Sequence, residues 1–115
     1  MPRDAHTYLA DVRMAAGHII TFTTDRDLDG YRSDPMLRSA VERQLGIIGE
    51  ALNQLARVEP ELAERIPDLR PIIGLRNVLA HGYSAIDDSV VWSAVQTRVP
   101  TLFSAVEDLL REASA

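Results

Sequence analysis

The chain has 115 residues, 46% of them hydrophobic and 25% charged, with a formal net charge of −5 and no cysteine. That length makes a single domain, residues 1–115, able to bury roughly two-thirds of its unfolded surface without staples. The negative balance argues against non-specific coating of nucleic acid, which relies on many basic contacts to phosphate, and the missing cysteine excludes disulfides, thiolate nucleophiles and cysteine-based zinc or iron–sulfur sites.

All twelve basic residues are arginine. Schiff-base chemistry and a lysine base are thereby excluded, while a local anion site stays open because arginine grips phosphate in bidentate fashion. An arginine-only set is equally a product of genomic base composition. The N-terminus carries Arg3, Asp4 and His6 without an apolar core and cleavage site, and no apolar run approaches about eighteen residues. A soluble, cytoplasmic protein with no membrane contact is expected.

From His6 to Thr24, Tyr8, Leu9, Val12, Ala15, Ala16, Ile19 and Phe22 recur at helical spacing and predict a first amphipathic helix. The run Thr23–Gly30 has no periodicity and reads as a loop; its three aspartates resemble a calcium loop but lack the closing glutamate, so a solvated turn is expected. Asp34-Pro35 is a start signal, a capping side chain followed by proline at the first helical position. From there Leu37, Val41, Leu45, Ile48, Leu52 and Leu55 repeat at intervals of four and three and predict a long second helix, with Glu50 beside the stripe. Glu50 is read as exposed or capped, with partial burial as the alternative.

Pro60 and Pro67 bracket a short helical turn within a connector, and Asp68 is placed to cap a third helix running through Ile72, Ile73, Leu75, Val78 and Leu79, with Pro71 tolerated in its first turn. Asp87-Asp88 opens a fourth helix in which Val91, Val95, Val99, Leu102, Val106 and Leu109 keep the same rhythm, and Pro100 is expected to bend it. Val90, Trp92, Ala94, Phe103, Ala105 and Leu110 make this helix apolar on more than one face; a helix-mediated homodimer explains the surplus, as does a kink that rotates the stripe. With no strand-like alternation, the pattern is an all-α, antiparallel four-helix bundle.

Chemistry concentrates in Gly74-Leu75-Arg76-Asn77-Val78-Leu79-Ala80-His81-Gly82-Tyr83, where Val78, Leu79 and Ala80 call for burial and Gly82 is placed to stop the third helix. Negative partial charge at that helix end favours the imidazolium of His81, a candidate general acid or base. Arg76 is suited to stabilise charge on a phosphoryl group, and Asn77, on the same side as His81, to position a phosphate or the ring. Arg76 and His81 lie five residues apart, so they diverge by roughly 140° around an unbroken helix. They converge only if the helix ends at His81 or a second copy supplies one of them. Together these groups suit cleavage of RNA by its own 2′-hydroxyl, without a protein nucleophile, metal or cofactor. On spacing alone, a capping histidine, a surface arginine and Tyr83 as a packing aromatic form the alternative reading. His6, His18 and His81 come from separate segments without ligand spacing, so a metal site is not expected and His6 and His18 read as surface residues.

Arg76-Asn77-Val78-Leu79-Ala80-His81-Gly82-Tyr83 resembles the Arg, four residues, His, any residue, Tyr motif of HepT-like toxins, a branch of the HEPN superfamily of small helical ribonucleases. The likeness extends upstream through Ala40–Ala51 and downstream through Ile86-Asp87 and Val90-Val91-Trp92, and so spans nearly the whole chain. Leu69 and Pro71 depart from the aromatic and acidic residues of that pattern, which touches the start of the third helix but not the motif. The resemblance implies a dimeric bundle of four to five helices and metal-independent cleavage of RNA by a toxin–antitoxin component. It maps the catalytic pair onto Arg76 and His81 and the polar position onto Asn77. It also implies a partner, a minimal nucleotidyltransferase antitoxin, which in some systems transfers AMP to the tyrosine matched by Tyr83. The expected site is composite, formed where two copies of the third helix meet. The rival expectations are a non-catalytic helical adaptor that holds a nucleotidyltransferase or a nucleotide, and a subunit or substrate of an active neighbouring enzyme.

Overall fold

The computed structural model describes residues 3–80 and 87–114. Among these residues there is no strand, and six helices follow in order: α1 (Arg3–Thr23), α2 (Leu28–Ser33), α3 (Pro35–Val58), α4 (Pro60–Ala63), α5 (Leu69–Ala80) and α6 (Asp88–Ser114). Four are the long helices of the sequence reading, and α2 and α4 are short connecting turns. The expected helix stop at Gly82, and His81, Tyr83 and Ile86 with it, lie outside the described residues.

In α1, Ala5, Leu9, Val12, Ala16 and Ile19 are fully buried at steps of four and three. Its end is closed by hydroxyls: Thr23 Oγ1 donates to the Ile19 carbonyl at 2.8 Å and Thr24 Oγ1 to that of Ile20 at 2.7 Å. Asp25 then turns the chain with φ 61°, the left-handed region that glycine usually supplies.

The loop expected over Thr23–Gly30 is too long, because α2 begins inside it. Asp27 accepts from the Gly30 N–H at 2.7 Å, so one of the supposed loop aspartates acts as a helix cap. Tyr31 then anchors this six-residue helix in the core, fully buried and with its ring 5.3 Å from that of Trp92 on α6. Burial, reinforced by the Glu42 and Asp88 carboxylates, holds the Tyr31 phenol far above its ordinary pKa and therefore neutral. Its hydroxyl has no hydrogen-bond partner among the described residues. Tyr31→Ala is expected to cost about 3–5 kcal/mol, whereas Tyr31→Phe keeps the ring and should cost less than about 1 kcal/mol; urea unfolding of both variants checks this.

Asp34 caps α3 as expected, accepting from the Leu37 N–H at 3.1 Å ahead of Pro35. That bond, aided by Arg26, holds the Asp34 carboxyl below its ordinary pKa. Leu37, Val41, Leu45, Ile48, Leu52 and Leu55 form the buried stripe of α3. This helix is the centre of the domain: α1 and α5 both pack on it, while α6 packs on α1 and α2. At the start of α6, Asp87 accepts from the backbone N–H of Ser89 at 2.9 Å and from its hydroxyl at 2.6 Å.

Two features of α6 bear on its apolar surplus. Its stripe stays buried from Val91 through Val99 and Leu102 to Leu109, so Pro100 does not rotate the apolar face. The second face is largely covered within the chain: Ala94 and Leu110 are buried, Trp92 rests on Tyr31, and a Cβ on Gly17 of α1 would stand 3.8 Å from the Phe103 ring. Val90, 57% exposed, is what remains of the apolar surplus. The α6 surface therefore does not by itself demand a second copy.

Candidate functional site

The site is organised by α5. Asp68 precedes this helix as the sequence suggests, but in the left-handed region with φ 59° and not in the extended conformation of a capping side chain. Its carbonyl accepts from the Ile72 N–H at 3.1 Å, and its carboxylate lies 3.6 Å from Arg98, which ties the start of α5 to α6. Leu69 and Ile72 are buried against the rest of the bundle. Continuing that stripe by four residues arrives at Arg76, so an arginine occupies a position whose direction is toward α3.

What allows Arg76 to sit there is Gly49. A Cβ on Gly49 would fall 2.1 Å from the Arg76 Cβ and 2.5 Å from its Cγ, so the two helices touch through a glycine and the root of the arginine side chain. The guanidinium then reaches along α3. Its Nη2 donates to Glu50 Oε2 in a short ion pair, and its Nη1 donates to Asn77 Oδ1 at 3.0 Å. Glu50 is itself held, because Oε1 accepts from Gln54 Nε2 at 3.2 Å. Arg76 is pinned at its root and at its tip, and its side chain stays 30% exposed. Among the described residues, two of its five N–H donors are engaged, one by Glu50 and one by Asn77.

Arg76 borders an open depression of about 520 Å³ shared by three helices, with Tyr8 and Asp11 of α1, Arg43 and Gly46 of α3, and Ala80 of α5 among its walls. A more enclosed hollow of about 290 Å³ lies between α3, α5 and α6, but it is apolar apart from Ser89, Ser93 and Arg98 and holds none of the candidate residues. The depression at Arg76 is the better candidate on chemical grounds.

Of the sequence-derived site residues, Arg76 and Asn77 are adjacent and hydrogen-bonded, while His81 and Tyr83 lie outside the described residues. Asn77 Oδ1 accepts from Arg76, so part of this amide orients the guanidinium. Val78, 40% exposed, and Ala80 are not buried within the chain, against expectation; only Leu79 of that trio packs on the core. Glu50 was read as an exposed or capped side chain; it is half-exposed and is the counter-ion of Arg76. Gln54 was missed, although its place one turn after Glu50 was the signal for it. His6 and His18 are on the surface, the latter stacked on Phe22 at 5.7 Å. Among the described residues no group of three His, Asp or Glu side chains is placed as metal ligands are, and no helix is long and apolar enough to cross a membrane.

The fold and site together define an all-α domain built around one anchored arginine. Residues 12–109 match the family model described as Ribonuclease HepT-like, and the chain belongs to that family, a branch of the HEPN superfamily. It is 36% identical over 107 residues to "Putative RNase MJ1380" of Methanocaldococcus jannaschii, covering 91% of this chain and 95% of that protein. It is 32% identical over 109 residues to "Probable ribonuclease HepT" of Thermococcus cleftensis, covering 95% and 98%. No solved structure matches the chain significantly.

Proposed function

We propose that this chain is the toxin of a toxin–antitoxin pair and an endoribonuclease that needs no metal ion. The observation that carries the reading is the anchored Arg76, a half-buried cation held by Glu50 at the edge of an open depression. Its family membership and the ribonuclease names of its relatives support the same activity. In this reaction the substrate's 2′-oxygen attacks the adjacent phosphorus as its proton passes to a base. The bond to the 5′-oxygen breaks, and that oxygen takes up a proton, leaving a 2′,3′-cyclic phosphate and a 5′-hydroxyl. Arg76 stabilises the charge that accumulates on the phosphoryl oxygens, and His81 exchanges the protons. The productive site is composite, with Arg76 and His81 contributed across a homodimer in which two copies of α5 meet.

The partner is a small nucleotidyltransferase antitoxin, which neutralises by transferring AMP to Tyr83. A nucleotide attached there adds a phosphate that competes with RNA for Arg76, together with bulk at the site. Two measurements test this reading. Cleavage by the purified protein should persist in excess EDTA and leave a cyclic phosphate; loss of cleavage that magnesium restores would overturn the metal-free mechanism. Co-expression with a neighbouring nucleotidyltransferase should add AMP mass to the wild type but not to Tyr83→Phe. A purified dimer that leaves RNA intact would instead be an adaptor for that partner.

A further inference from the structure

We propose that Arg43 and Gly46 of α3 form, next to Arg76, a subsite for a second phosphate of a single-stranded RNA substrate. The proposal rests on the ribonuclease reading and extends it from the scissile phosphate to its neighbour. The first observation is Gly46, a helix glycine that no described residue crowds. Gly46 sits in the interior of a 24-residue helix, where glycine is the least favourable ordinary choice after proline, and a Cβ built on it meets nothing within 4 Å. Gly49, one turn on, is required by the closeness of α5; among the described residues nothing requires Gly46 in the same way. A bare helix backbone facing open space suits close approach from outside.

The approach is flanked by cations. Arg43 is three residues before Gly46 and so shares its face of α3, and Arg76 faces it from α5. Arg43, Gly46, Arg76 and Ala80 line both depressions that meet over this floor. Arg43 is exposed and, among the described residues, enters none of the ion pairs that engage Arg26, Arg65, Arg70, Arg76, Arg98 and Arg111.

Three carboxylates border the same region. Glu50 is matched by Arg76. The Glu42 carboxyl is raised above its ordinary pKa by burial and by Asp88. Asp11 stands on α1, at the margin of the larger depression and absent from the lining of the smaller one. Arg76 and Arg43 are the two cations of the track that runs over Gly46, and Arg43 is the one whose charge no described carboxylate pairs. Tyr8, half-buried at the margin, offers a ring for an unpaired base, which favours a single strand over a duplex.

The test uses a labelled 2′-O-methyl RNA oligonucleotide, which keeps every phosphate but lacks the attacking hydroxyl, with binding read by fluorescence anisotropy. Arg43→Ala should weaken binding about tenfold and lower the slope of log affinity against log salt by about 1. Gly46→Leu should weaken it by a similar factor, and Gly46→Ala should raise the melting temperature, which shows that the glycine is not kept for stability. Binding by Arg43→Ala within about twofold of the wild type overturns the subsite. So does a Gly46→Leu protein that falls from dimer to monomer at unchanged RNA affinity, since the bare floor then seats a second copy of α3. Cleavage of unmodified RNA by the wild type is followed in parallel. No cleavage, with binding still dependent on Arg43, would remove the ribonuclease reading alone; normal cleavage, with binding indifferent to Arg43, would remove the subsite alone.

Discussion

Replacing Arg76 with alanine is expected to lower RNA cleavage by about 10²–10³-fold, the loss typical of one preorganised donor to a developing anion, while the melting temperature barely moves. The reason lies in how Arg76 is held. Its ion pair with Glu50 is half-exposed on both sides, at 30% and 47%, and such pairs contribute at most about 1 kcal/mol to stability. Alanine also keeps the Cβ that rests on Gly49, so the contact between α3 and α5 survives. What disappears is a guanidinium aimed by two anchors. Glu50→Gln sharpens the test: the amide keeps an acceptor near Nη2 but loses the charge that fixes the fork. Its deficit should appear mainly in kcat, with a smaller change in KM. A wild-type rate from Arg76→Ala in a folded dimer would return the arginine to an ordinary surface role. His81→Ala should match the Arg76→Ala loss if the two act as one unit.

The long helices were legible because each is specified several times over. In α3 the cap at Asp34, the proline after it and the stripe from Leu37 to Leu55 all agree, and the structure follows them. What failed was local chemistry decided by tertiary contact. The Thr23–Gly30 segment has the composition of a loop, yet Tyr31 gains enough burial against Trp92 to fold the residues before it into α2. The apolar surplus of α6 was legible, but periodicity cannot show how much of it α1 and α2 cover, so a dimer and a kink were left as its two explanations. At the site, the motif identified Arg76 directly, whereas its counter-ion lies 26 residues away on another helix. No spacing rule within one helix reveals that pair. The hint was Gly49-Glu50, a glycine and a carboxylate beside an apolar stripe.

Gly49→Ala is expected to destabilise the protein by about 1–3 kcal/mol, as overpacking does, although alanine favours a helix interior by about 1 kcal/mol over glycine. The added methyl would stand 2.1 Å from the Arg76 Cβ, an atom the backbone fixes, so rotating the arginine side chain does not relieve the clash. The helices must separate, and the guanidinium then leaves Glu50 or is carried with α5. A displacement near 1 Å at a reacting group can cost about 10²-fold in rate, so cleavage should fall along with stability. Two controls separate this steric account from a general intolerance of α3. Gly46→Ala, on the same helix but facing open space, should instead stabilise by about 0.5–1 kcal/mol. Arg76→Gly, combined with Gly49→Ala, removes the opposing Cβ and should recover part of the lost stability while remaining inactive. Calorimetry and a cleavage assay on the four proteins distinguish the cases: if Gly49→Ala melts above the wild type, α5 does not sit as close to α3 as the structure places it, and the anchoring of Arg76 at its root must be abandoned.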